Sequence, residues 1–141
     1  MSSAYTLTRT GAAPLRFEGE LVAKATSYSR DGPLQNRWHE IEVYACLPFS
    51  GGRHVVHVEF SSRWQGESGH HAVEVFDAPD SLAEFLQSYD WRQGWENYPA
   101  GPDYADRRER NERAIAGGYA RAVSDVLAGF PEELATRVAE G

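Results

Sequence analysis

The stretch Trp38-His-Glu-Ile-Glu-Val-Tyr-Ala-Cys-Leu47 decides the fold, because its apolar and polar side chains alternate with a period of two. One side of the predicted strand carries His39, Ile41, Val43 and Leu47, and the other carries Glu40, Glu42 and Tyr44. The segment Arg53–Trp64 alternates in the same way, and Pro48–Gly52 between them has the glycines and proline of a turn. We therefore expect these two segments to pair as antiparallel strands.

Three further segments show the same alternation on either side of this pair. They are Tyr5–Arg9, which is short, Leu15–Thr26 and His71–Asp77. Breakers separate them from their neighbours along the chain, among them Gly11 and Pro14. The sequence thus predicts an antiparallel sheet of four or five strands, connected as a meander.

The period changes from two to 3.6 after residue 78, which indicates helices. Ser81 and Glu84 fit a capping box at the start of a short amphipathic helix. Asp103 is a candidate N-cap for a long helix that runs to about Gly129, and Pro131 opens a last short helix. We predict a single α+β domain over residues 1–141, with strands at about 5–77 and helices at about 80–140.

The helices are expected to cover one face of the sheet, and water or a partner is expected to meet the other. The predicted helix-covered face carries Phe17, Leu21, Ile41, Val43, Val56, Val58, Phe60, Val73 and Val75. The predicted open face carries six acids, Glu18, Glu20, Glu40, Glu42, Glu59 and Glu74, among several bases.

Two registers are open for the central hairpin. A Gly51-Gly52 loop sets Cys46 opposite His57, whereas a Ser50-Gly51 loop sets Glu42 opposite Glu59. Like charges directly opposite each other are destabilising, which favours the first register. Both registers keep the same residues on the same face.

Charge and composition limit the partners and the compartment. The chain has 14 basic and 21 acidic side chains and a net charge of −7, which argues against binding nucleic acid or an anionic membrane. The first residues lack the basic and apolar regions of a signal peptide, so we expect none, and no apolar run reaches the roughly 20 residues that a membrane span requires. The single cysteine, Cys46, forms no internal disulfide. We expect a cytoplasmic protein.

One set of residues suggests metal chemistry. His57 and Glu59 share a face of their strand, and Glu40, Glu42 and Glu74 lie on neighbouring strands, so that imidazole and carboxylates together could bind a divalent ion. Against this, a flat sheet face offers few convergent ligands, and His70 and His71 are adjacent and therefore point to opposite faces. The sequence prediction is therefore no metal, no cofactor and no catalytic residue, with Cys46→Ser leaving function intact.

The interpretation that we favour from sequence is a non-enzymatic protein that binds another protein or protein complex. A small acidic inhibitor or accessory factor of a nucleic-acid-processing complex, of the kind phages and mobile elements carry, has this profile of size and charge. The alternatives are a small metal-assisted hydrolase that uses His57 with the sheet-face carboxylates, and a self-assembling module such as a homodimer. Aromatic and arginine side chains dominate interface energies, and the segment from Trp91 to Tyr104 is rich in them. The predicted partner-binding residues are Trp91, Arg92, Trp95, Tyr98, Tyr104, Arg107, Arg108, Arg110, Glu40, Glu42, Glu59 and Glu74.

Overall fold

The fold is a five-stranded antiparallel sheet followed by helices. The computed structural model describes residues 3–28, 37–47, 53–62, 69–93, 109–110 and 112–128. The strands are β1 (Ser3–Arg9), β2 (Ala12–Thr26), β3 (Arg37–Cys46), β4 (His54–Ser62) and β5 (His70–Phe76). The helices are α1 (Pro79–Ser88) and α2, which comprises residues 109–110 and 112–128.

Each strand pairs with its neighbour along the chain, so the sheet order is β1-β2-β3-β4-β5. This confirms the predicted antiparallel meander, including the short first strand. The sheet also curls, because the end of β1 reaches β5. The Thr10 amide donates to the His71 carbonyl oxygen at 2.9 Å, and the His71 amide donates to Thr10 Oγ1 at 2.8 Å.

The helices cover one face of the sheet, as the apolar alternation of β3 and β4 predicts. Ile41, Val43, Val56 and Val58 are fully buried there. They form one core with helix side chains, namely Leu82, Leu86, Tyr89, Tyr119, Ala122, Val123 and Val126. Burial of this many aliphatic side chains supplies the main stabilising free energy of the α+β packing.

The opposite face is not open, which corrects the sequence prediction. Its residues form a second apolar cluster inside the curl of the sheet. The buried members are Leu7, Tyr44, Cys46, Val55 and Val73, with Tyr5, Leu15 and Phe17 partly buried against them. A curled sheet turns its concave face inward, so that residues which would be exposed on a flat sheet pack against one another.

A β-bulge in β2 moves two residues from their predicted face. Leu21 lies opposite Tyr44, but Ala23 lies opposite Val43, so Val22 is an extra residue between two ladder positions. Leu21 and every second residue before it therefore share the face of Tyr44, whereas Ala23 and Ala25 after the bulge share the face of Val43. Phe17 and Leu21 were predicted on the helix-covered face and lie on the concave face instead.

The register of β5 moves two more residues. Val73 lies opposite His57 and Val75 opposite Val55, so both belong to the concave face rather than the helix-covered one. Val75 is 45% exposed, which contradicts the prediction that it is buried. By the same register Glu74 lies opposite Val56, on the side away from Glu40, Glu42 and Glu59.

The central hairpin adopts neither of the predicted registers. Ala45 lies opposite His54 and Glu42 opposite His57, and the Cys46 amide donates to the Arg53 carbonyl oxygen. The connection between β3 and β4 is therefore longer than two residues. As a result Glu40 lies directly opposite Glu59.

The helix starts differ from the predicted capping. Helix α1 begins at Pro79, with Ala78 as the N-cap residue and no side-chain cap, so the Ser81–Glu84 capping box is wrong. A proline with φ preset for a helix explains this start. The apolar residues of α2 that recur at helical spacing are buried, namely Ile115, Tyr119, Ala122, Val123 and Val126. The N-cap at Asp103 and the last helix from Pro131 lie outside the described residues.

Candidate metal centre

The concave face carries a group of imidazoles and carboxylates in the middle of β3 and β4 and at the start of β5. Glu42 lies opposite His57, and Glu59 lies opposite His71. Directly opposed residues of antiparallel strands share a face, as do residues two apart on one strand. The four side chains therefore project to the same side of three neighbouring strands and lie next to one another.

Hydrogen bonds link the two histidines to each other and to Glu42. Glu42 Oε1 lies 2.9 Å from His57 Nδ1, and His57 Nε2 lies 3.0 Å from His71 Nδ1. An ionised carboxylate only accepts, so His57 Nδ1 carries the proton and donates it. His57 Nε2 then presents a lone pair, which accepts from His71 Nδ1. The rings stack in parallel, with an interplanar angle of 9°.

The carboxylates at the two ends complete the group. His71 Nε2 lies 3.8 Å from Glu59 Oε2, and Lys24 Nζ lies 4.0 Å from Glu42 Oε2. The hydrogen bond from His57 is the largest cause of the lowered pKa of Glu42, and burial opposes it. Glu42 is therefore ionised near neutral pH and fixes the tautomer of His57.

The spacing of these atoms matches what a metal ion requires. One ligand atom from each of His57, Glu59 and His71 lies within 4.8 Å of the others. Two nitrogens bound to a tetrahedral zinc ion at about 2.0–2.1 Å are roughly 3.3 Å apart. The 3.0 Å between His57 Nε2 and His71 Nδ1 is close to that value. An ion bound here would take the place of the proton on His71 Nδ1.

The surroundings also suit a metal ligand set. A ligating histidine usually donates its other ring N–H to a carboxylate, and Glu42 accepts in this way from His57. The side chain of His57 is 8% exposed, whereas those of His71 and Glu59 are 31% and 32% exposed. The group is closed on the side of β3 and reachable from solvent on the other, which leaves room for a water ligand.

Three predicted acids belong to this region and one does not. Glu42 and Glu59 are members of the group, and Glu40 lies directly opposite Glu59. Trp38 Nε1 donates to Glu40 Oε1 at 3.4 Å, which directs that carboxylate. Glu74 projects to the helix-covered side and is exposed.

The aromatic segment is described only at its start. Trp91 is half-buried and packs against the helix-covered core, and the Arg92 guanidinium carbon lies 4.4 Å from the centre of its ring. Arg110 is exposed on α2. The other predicted partner-binding residues, Trp95, Tyr98, Tyr104, Arg107 and Arg108, lie outside the described residues.

Sequence reasoning dismissed His71, which is the main member of the group that it missed. The alternation of His71 with Val73 pointed to the wrong face, because Val73 was predicted on the helix-covered face. The register of β5 sets Val73 opposite His57 and so brings His71 to the face of His57. Cys46 does not lie opposite His57, and burial raises the pKa of its thiol, as expected of an inert cysteine.

Comparison with known proteins gives no relative from which to transfer a function. No protein-family model matches the chain, and no match is found among curated proteins or solved structures. Among the described helices, none has the length and apolar character needed to cross a bilayer.

Proposed function

We propose that this protein binds one divalent transition-metal ion and uses the bound water for hydrolysis. The observation that carries the proposal is the convergence of His57, Glu59 and His71 within 4.8 Å. Two imidazoles, one carboxylate and an open fourth position form the ligand set of catalytic zinc sites. Zinc in such a site lowers the pKa of its bound water to about 7 and so supplies hydroxide at neutral pH.

The residues around the ligands support this chemistry. A bound ion would be held by His57, Glu59 and His71 and would supply hydroxide for addition to a carbonyl carbon of the substrate. Glu40 would accept the proton released by the water and return it to the leaving group of the broken C–O or C–N bond. Glu40 suits this role because it lies directly opposite Glu59 and is directed by Trp38.

Replacing one ligand tests the proposal against a neighbouring histidine. We expect the protein to bind one equivalent of Zn²⁺ or Co²⁺, and His71→Ala to weaken binding by more than about a hundredfold. His70→Ala is the matched control and should leave affinity unchanged, because only His71 belongs to the group. Calorimetry gives stoichiometry and affinity, and a strong visible Co²⁺ spectrum reports tetrahedral geometry. Equal affinities of the two variants contradict the proposal.

The carboxylate of Glu42, which accepts a hydrogen bond from His57 but is not a candidate ligand, gives a prediction of smaller effect. Glu42→Gln keeps the size of the side chain but removes the charge that holds the His57 Nδ1 proton. We expect metal affinity to fall by about 10- to 100-fold, which is the usual cost of losing such a partner. Glu18→Gln, an exposed acid on β2, is the control. A Glu42→Gln protein with the affinity of the parent shows that Glu42 is not part of the site.

Binding of another protein through the aromatic segment is a second candidate function. The stacking of Arg92 on Trp91 favours it, because such pairs are frequent at interface centres.

Trp91→Ala should lower stability by about 3 kcal/mol, since Trp91 packs on the core. Trp95→Ala should leave the melting temperature nearly unchanged and cost a captured partner about 2 kcal/mol of binding free energy. The reverse pattern of melting temperatures contradicts this assignment.

A further inference from the structure

A cavity of about 300 Å³ adjoins the candidate metal centre. It lies along β5, between the turn that joins β1 to β2 and the end of α1. Its wall includes both charged and apolar side chains, namely Arg9, Glu74, His71, Val73, Phe85 and Tyr89. This volume is at the lower end of the range for small-molecule sites.

The cavity and the metal centre share one residue. His71 lines the cavity and is one of the three candidate ligands. Glu74, Phe85 and Tyr89 lie on the helix-covered side of the sheet, whereas the candidate ligands project to the concave side. The cavity therefore follows the edge of β5 and meets the metal centre only at His71.

Two opposite charges determine what the cavity can hold. Arg9 Nε donates to the Ala13 carbonyl oxygen at 2.5 Å, which fixes the guanidinium and leaves its terminal nitrogens for other acceptors. Glu74 provides an exposed carboxylate in the same wall. A ligand that is only anionic is repelled by Glu74, and one that is only cationic is repelled by Arg9. A zwitterion satisfies both charges.

We propose that the cavity binds a small zwitterion of the amino-acid type that carries an aromatic or apolar side chain. Its carboxylate pairs with Arg9 and its ammonium group with Glu74, while Phe85 and Tyr89 contact the side chain. This binding site is separate from the proposed metal-dependent hydrolysis and does not depend on it.

Three probes with the same ring test the charge requirement on the full-length, metal-free protein. They are L-phenylalanine, 3-phenylpropanoate, which lacks the ammonium group, and phenethylamine, which lacks the carboxylate. We expect calorimetry or NMR titration to show binding of L-phenylalanine, with each singly charged probe at least about tenfold weaker. Because no metal is present, failure here is distinct from failure of the metal proposal.

Variants locate the site within the cavity. Arg9→Gln and Glu74→Gln should each weaken L-phenylalanine binding by about tenfold or more. Arg9→Lys, which keeps the positive charge, should retain part of the affinity, and it serves if Arg9→Gln fails to fold. Arg16→Gln, an exposed arginine on β2 outside the cavity wall, is the control. Absence of L-phenylalanine binding, equal binding of a singly charged probe, or equal affinity in the Arg9 and Arg16 variants overturns the proposal.

Discussion

Acidification from pH 6.5 to pH 4 is expected to lower the free energy of unfolding by about 3 kcal/mol through one side chain, His39. His39 is fully buried between the rings of Phe60 and Tyr119. Its Nε2–H donates to the Trp91 carbonyl oxygen at 3.0 Å, whereas its Nδ1 has no hydrogen-bond partner among the described residues. Protonation would place a charge at Nδ1 with no acceptor, and burial lowers the pKa to about 4.

The direction follows from which state takes up the proton. Below pH 6.5 the unfolded chain protonates His39, whereas the folded protein excludes that proton until about pH 4. Stability is therefore complete above pH 6.5, falls steadily down to pH 4, and falls no further from this group. The carboxylate of Glu42, whose pKa is lowered in the folded protein, adds its own loss only in the most acidic part of the range.

Chemical denaturation at a series of pH values measures this loss. The His39→Gln variant serves as the control, because glutamine does not titrate and can still donate to the Trp91 carbonyl. We expect it to be less stable at neutral pH but to show a flatter profile between pH 6.5 and pH 4. Parallel profiles of the variant and the parent protein would assign the acid sensitivity to other groups.

Replacing Gly19 by alanine is expected to destabilise the protein by about 3 kcal/mol. Gly19 is buried in β2, and a Cβ there would overlap the carbonyl oxygen of Ala45 on β3. That oxygen belongs to the backbone of a central strand, so it cannot move aside as a flexible side chain does. Glycine is present because two strands approach closely at this position.

Gly117 provides the matched control for this substitution. It lies exposed in α2, and an added Cβ meets nothing within 4 Å. Gly117→Ala should therefore stabilise the protein by about 1 kcal/mol through helix propensity. The same urea titration at neutral pH measures both variants. If Gly19→Ala is as stable as the parent protein, β2 and β3 do not approach closely at this position.

The strands were predictable from sequence because each buries one side and alternates accordingly. The face of the sheet on which each residue lies was harder to predict, since a face assignment assumes regular pleating along the whole strand. The extra residue Val22 interrupts that regularity without any glycine or proline to mark it. No residue type in β2 therefore indicates that its apolar side chains belong to two different cores. Phe17 and Leu21 were misplaced for this single reason.

The candidate metal centre was only half predictable. His57 and the acids around it were identified from alternation, but they were judged too dispersed on a flat sheet. They converge because the register of β3, β4 and β5 sets Glu42 opposite His57 and Glu59 opposite His71, and alternation alone does not determine that register. Two hydrogen bonds with Thr10 also hold the backbone of His71 at the edge of the sheet. The role of His71 as a candidate ligand therefore becomes apparent only from the structure.

The meander also determines the order in which the native contacts can form. Neighbouring strands close short loops, which costs little chain entropy, so the four hairpin pairings can form early. The contact between Thr10 and His71 joins positions 61 residues apart and has to wait for the intervening strands. The candidate ligands themselves all lie on β4 and β5, which form one of these hairpins, and His71 is paired with Glu59 there. During refolding, uptake of metal is therefore expected to follow the pairing of β4 with β5 and to precede the closing of the sheet.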